Sequence, residues 1–185
     1  MTSILITCGV IIAIATFVIG AYNNGVRLRN YVKEAFSTMD VYMKKRWDLI
    51  PNLVETVKGY ASHEKGLLEQ LTQLRSGNYS TMSDAQKLET NSELTQVLTR
   101  FMAVAENYPD LKANQNFMQL SDELSAVEAD IANARKYYNG TVRELNTFLE
   151  VFPTNMIGSM FGIQREKMFE ISESERQNVK VSFND

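Results

Sequence analysis

The sequence predicts an all-α protein, with an N-terminal transmembrane helix continuing into an antiparallel bundle of long kinked helices. Three observations carry that prediction. Residues 4–22 (ILITCGVIIAIATFVIGAY) hold no charge, and the first charged side chain is Arg27. From Leu28 onward apolar residues recur every three or four positions, which is the period of a helix with one buried face. No β alternation of comparable length precedes residue 175, and only three Pro and nine Gly in 185 residues argue against a turn-rich all-β chain.

The uncharged stretch comes first. At about 1.5 Å per residue it spans roughly 28 Å, close to the thickness of a bilayer's hydrocarbon core. A cleaved signal peptide would need a basic n-region, but only Met-Thr-Ser precedes the run; Ala13-Ile14-Ala15 fits a cleavage site yet falls mid-run. A retained span over 4–22 is therefore expected, with residues 1–3 outside the cell membrane. Arg27, Arg29 and Lys33 follow the span and no basic side chain precedes it, so the positive-inside rule puts the C-terminal domain in the cytoplasm. These three residues are the expected contacts to anionic lipid headgroups, and Tyr22 stands where an interfacial aromatic belongs. Residues 27–46 carry six Lys/Arg against Glu34 and Asp40, a net +4, while the remainder nets −7. Lys44-Lys45-Arg46, about 30 Å along a helix from the bilayer, reads as a solvated face. Arg46 could stack on Trp47, pair with Asp48 or another carboxylate, or stand exposed.

The body, residues 23–152, reads as three long helices. The first covers about 23–74, with Leu28, Val32, Phe36, Met39, Met43, Trp47, Ile50, Val54, Val57 and Ala61 on one stripe. Its register survives Pro51, so a kinked rod is expected there more than a reversal. Residues 75–84 (RSGNYSTMSD) read as a loop, and Ser83 or Asp84 can cap a second helix over 84–107. Leu88, Leu94, Leu98, Phe101 and Val104 face inward there. Tyr108-Pro109-Asp110 marks a break. The third helix, 110–152, carries Phe117, Leu120, Leu124, Val127, Ile131, Ala134 and Tyr138, then after one extra four-residue step Val142, Leu145, Leu149 and Phe152. That is a coiled-coil-like stripe with a stutter. Residues 153–185 lose the period at Pro153, Gly158 and Gly162, and 179–183 (VKVSF) alternate like a short strand. This tail is expected to be docked or partly disordered. Phe161, Phe169, Val179, Val181 and Phe183 are its candidate contacts to a second copy.

Few catalytic chemistries fit. The single Cys, Cys8, lies in the apolar stretch and excludes an intrachain disulfide and thiolate clusters. The single His, His63, falls short of zinc and di-iron ligand sets, and with Glu64 it reads as a solvated helix surface. No phosphate-binding glycine loop or nucleophile elbow appears. An acidic body without a basic stripe argues against nucleic acid. No catalytic, cofactor or metal residue is therefore assigned, and no cofactor is expected. Asn52 and Glu55 after Pro51, and Asn107, Asp110 and Asn114 around Pro109, read either as partners for backbone groups freed at breaks or as a polar surface for a partner.

Several runs resemble the LemA family of bacterial membrane proteins: Tyr22-Asn23, Val26 to Asn30, Glu34-Ala35, Asp40-Val41 and Asp48 to Tyr60 (DLIPNLVETVKGY). Ala105 to Asn114 (AENYPDLKAN) with Phe117 resembles a second family signature. Tyr138-Asn139, Asn146, Phe152-Pro153, Asn155 and Phe161-Gly162 resemble a third. The resemblance covers residues 22 to about 170. Departures are Gly25, where the family favours a larger apolar residue, Phe36 for Trp, Tyr42 for Gln, and Asn178 near an expected Pro. The resemblance implies a single-pass anchor in the bacterial inner membrane and a cytoplasmic helical bundle; the magnetosome protein MamQ is similar too. It also implies association with an HtpX-type membrane metalloprotease. The expected function is a non-enzymatic scaffold that binds membrane lipids, forms a homo-oligomer and organises or shapes membrane. The alternative is a monomeric adaptor or sensor bundle for a partner such as that protease.

Overall fold

The computed structural model describes residues 1–60 and 64–169. Six helices follow one another: α1 (Thr2–Val57), α2 (Lys65–Leu74), α3 (Asp84–Ala105), α4 (Pro109–Lys112), α5 (Gln115–Phe148) and α6 (Thr154–Met160), with a 3₁₀ turn at Tyr79–Thr81. Among the described residues there is no strand, so the all-α expectation holds. The strand-like run at 179–183 lies outside the described residues, as does His63.

The chain divides into two compact units. The first gathers Met1–Met39 and Asn133–Met168; the second gathers Asp40–Ala132 together with Phe169. In the first unit α1 and α5 run antiparallel. Phe36 meets Tyr138 edge-on at 6.0 Å between ring centres, and Gly25 lies against Phe148, so ten residues forward in α5 match eleven back in α1. Val32, Ala35 and Met39 of α1 and Val142, Leu145 and Phe148 of α5 are buried here. A Cβ on Gly25 would sit 2.6 Å from Ile163 Cδ1 and 2.9 Å from Phe148 Cε1. The space that a larger side chain would need at position 25 is filled by the tail and α5.

The second unit is an up-down-up-down set. Its core takes Met43, Trp47, Ile50, Leu53 and Val57 from α1, Leu71 from α2, Leu94, Leu98 and Phe101 from α3, and Phe117, Leu124, Val127 and Ile131 from α5. Here the structure departs from the expected single kinked helix over about 23–74. The α1 helix passes through Pro51 without a break and ends at Val57, a turn occupies residues 58–60, and α2 begins at Lys65. The direction does reverse, because Tyr79 returns to Asp40 and Trp47. Gly59 in the turn and Gly66 at the start of α2 are poor helix residues, and the reversal lets Leu71 reach the core.

The remaining boundaries follow from capping. Ser83 accepts from the Gln86 backbone while the Gln86 side chain returns to the Ser83 N–H, a full capping box at the start of α3. The break at Tyr108 contains the extra turn α4, with Pro109 in its first turn. Asn114 then starts α5, its Oδ1 accepting from the backbone N–H of Asn116 (3.0 Å) and Phe117 (3.1 Å). Phe152, placed on the buried stripe by its spacing, is instead exposed, because α5 ends four residues earlier.

Candidate functional site

Arg46 is the one charged residue among the described ones that is buried, and its side chain is 1% exposed. The solvated face expected for Lys44-Lys45-Arg46 therefore fails at its third residue. The buried positions of α1 in the second unit are Met43, Arg46, Trp47, Ile50, Leu53 and Val57, and all but Trp47 follow one another at steps of three and four. Arg46 stands on that seam, where a helix presents its side chain to the core whatever its charge.

A guanidinium taken out of water is costly unless its donors are met. Arg46 Nη1 donates to Thr95 Oγ1 at 2.8 Å and to the Glu128 carboxylate. Its Nη2 donates to the Asn91 carbonyl oxygen at 2.6 Å and also to the Asn91 side-chain oxygen. Thr95 in turn donates to the Asn91 carbonyl at 3.1 Å. Asn91 and Thr95 are one turn apart on α3 and Glu128 lies on α5, so one cation ties three helices together. Glu128 keeps 45% of its side chain exposed and so forms the outer lip of the cluster. It opens onto a groove of about 470 Å³ between α3 and α5. Leu98, Met102, Leu124 and Ala132 supply the apolar wall of that groove, and Thr99 and Ser125 supply hydroxyls.

A second polar cluster in the same unit centres on Asp40. One carboxylate oxygen accepts from Tyr79 OH at 2.7 Å and the other from Lys87 Nζ at 2.7 Å. The Tyr79 ring packs on Trp47 with centroids 5.4 Å apart, and Lys87 Nζ lies 5.2 Å from the ring centre. Burial and then the bond to Asp40 push the Tyr79 hydroxyl well above the usual phenol range, so it stays a donor. Lys44 pairs with Asp48 one turn along α1, on the surface. Among the described residues no group of three or more His, Cys, Asp or Glu is placed to hold a metal ion.

The first unit carries the one helix among the described residues that is long and apolar enough to cross a membrane. A membrane-length apolar window of α1 is only 6% buried by the protein itself. Arg27, Arg29 and Lys33 all point outward on the turns that follow. The tail is clasped in its own chain: Tyr138 OH donates to the Lys167 carbonyl at 3.0 Å. Asn146 donates to the Glu166 carbonyl at 2.9 Å and accepts from the Glu166 N–H at 3.1 Å. Phe161 packs against Tyr22, ring centres 4.6 Å apart, and remains partly exposed. Phe169 is buried in the second unit, whereas Val179, Val181 and Phe183 lie outside the described residues.

The polar residues flanking the breaks divide. Asn114 serves the backbone of α5 and also donates to Tyr60 OH at 3.1 Å, joining two breaks of the second unit. Tyr108 OH reaches Glu64 at 3.3 Å in the same region. Arg46 with Asn91, Thr95 and Glu128 is the site that sequence reasoning missed. Its signal was available, as a charge at a seam position whose neighbours are all apolar.

A family model described as the LemA family matches residues 35–183. Protein LemA of Metamycoplasma hominis is 28% identical over 165 residues, covering 89% of this chain and 75% of that relative.

Proposed function

The chain belongs to the LemA family, and from that premise we propose that it is a non-enzymatic scaffold, anchored in the cytoplasmic membrane by α1, whose cytoplasmic body self-associates in the membrane plane. The observation that carries the reading is the apolar start of α1, left almost wholly uncovered by the protein and followed at once by outward-pointing Arg27, Arg29 and Lys33. Apolar surface of that extent belongs in lipid, and the basic collar selects the side with anionic headgroups. Anchoring confines copies to a plane and raises their effective concentration, so weak lateral contacts suffice for assembly. Val41 and Met118 in the second unit and Tyr31 and Tyr137 in the first are large apolar side chains left exposed for such contacts. Copies packing at an angle would bend the membrane.

Light scattering on detergent-solubilised protein tests the reading. Particles of several copies are expected, and a strictly monomeric particle overturns self-association. Protease added to intact cells should spare the body; digestion overturns the orientation.

A second reading, an adaptor for a membrane partner such as an HtpX-type metalloprotease, is favoured by the groove beside Glu128. It predicts a hetero-complex in crosslinked membranes and no large homo-oligomer.

A further inference from the structure

The end of the first unit carries an apolar surface that the anchor alone does not explain. Ile157 and Gly158 of α6 are buried, and the place of a Gly158 side chain is taken by Leu149. The other side of this segment shows Phe152 (74% exposed), Met156 (59%) and Met160 (71%), at intervals of four, with Val151 and Phe161 exposed beside them. Five large apolar side chains exposed within eleven residues make a patch that a surface meeting only water rarely carries.

We infer that this face of α6 is a second membrane element, lying in the headgroup–acyl boundary beside the span; the inference rests on the membrane anchoring proposed above. Register places it there. Phe148 lies against Gly25 and Phe161 against Tyr22, while α5 runs back along α1 toward the uncharged stretch. The segment after Phe148 is therefore level with the first residues beyond residue 4–22, where the hydrocarbon core gives way to headgroups. The charges agree. Arg27, Arg29, Lys33 and Lys167 are exposed in the same unit, long enough to reach phosphates while their stems stay apolar. Glu150, the carboxylate next to the patch in sequence, is paired with Arg165 at 2.9 Å. Methionine is unbranched and adaptable, which suits a disordered acyl boundary.

The test uses the full chain with Cys8→Ser and one new cysteine, carrying an environment-sensitive fluorophore, in phosphatidylcholine–phosphatidylglycerol vesicles that contain a lipid quencher. Met156→Cys and Met160→Cys are exposed sites that leave the core intact. Labels there should lose most of their emission to the quencher, as should one at Ile12→Cys inside the span. A label at Lys136→Cys, level with the α1 turn that holds Phe36, should keep its emission. If Ile12→Cys is quenched while 156 and 160 are not, the inference falls and the anchor stands. If Ile12→Cys is also unquenched, the anchor falls and takes the inference with it. Labels at 156 and 160 that are shielded without quenching, increasingly so at high protein-to-lipid ratio, mean that a second copy covers the face, which overturns it.

Discussion

The two units are built from the same pair of long helices but are held by different chemistry. The first has eight basic and four acidic side chains, a net +4; residues 40–132 of the second have nine and 14, a net −5. In the first, polar side chains reach main-chain atoms: Tyr138 to Lys167, Asn146 to Glu166, and Thr154 Oγ1 to the Phe148 carbonyl at 2.7 Å. In the second, charges wholly buried at Arg46 and partly buried at Asp40 meet polar and charged side chains. Main-chain clasps tie a tail down without fixing a charge pattern, which leaves that surface free to be basic. Ion clusters fix which helix faces which, and they fail badly when one member is lost.

That contrast can be broken most sharply at Arg46. Arg46→Ala leaves the buried Asn91 oxygens without their donor and empties the space the side chain filled, while half-exposed Glu128 turns to water; the cost should be about 2–4 kcal/mol. Chemical denaturation should show it, with hydrogen exchange rising in the second unit first. Replacing the ion pair by apolar residues (Arg46→Met with Glu128→Leu) should recover part of the loss, because no lone charge remains. If Arg46→Ala is neutral, the cluster is not what organises the unit.

Gly25→Leu asks the matching question of the first unit. The new side chain meets Ile163 and Phe148 and should cost about 1–3 kcal/mol as overpacking. Exchange at 163–167 should rise while that around Arg46 holds. Asn146→Ala should be milder, about 1–2 kcal/mol for the two lost hydrogen bonds, read out by the same tail amides.

The smallest expected effect concerns alkaline pH. Free tyrosine ionises near 10.0, and Tyr79 in the fold is raised above that by burial and by Asp40. Above pH 10 the unfolded chain loses a proton that the folded one keeps. The contribution is full below that pH and is lost as pH climbs toward the folded value. Tyr79→Phe should flatten the alkaline limb of a stability–pH curve, on top of a loss of about 1 kcal/mol at neutral pH from the missing bond to Asp40. An unchanged limb would mean that this hydroxyl ionises freely.

Much of this was legible in the sequence, and the exceptions have physical causes. A charge-free run and three-four apolar spacing are local, so the long apolar start of α1, Val32 to Val57 and Phe117 to Leu145 could be read directly. The reversal after Val57 could not be, since apolar register is as compatible with a kinked rod, and only Leu71 reaching the core separates the two. Arg46 was hidden because three cations in a row look solvated, although their helical positions differ by 100° each and only one faces inward. The tail's period broke at Pro153 as read but not at Gly158, which sits inside α6, and which of its faces would be covered depended on α1 lacking a side chain at position 25.

The clasp at the end of the first unit has an evolutionary corollary. Asn146 imitates a peptide group, offering a donor and an acceptor to the main chain of residue 166, and Tyr138 does the same in one direction for residue 167. Such recognition is blind to the side chains it holds. The clasp itself therefore places no demand on the side chains at 166 and 167, which can adapt to new surroundings, whereas its own requirement is written in two residues of the opposite helix.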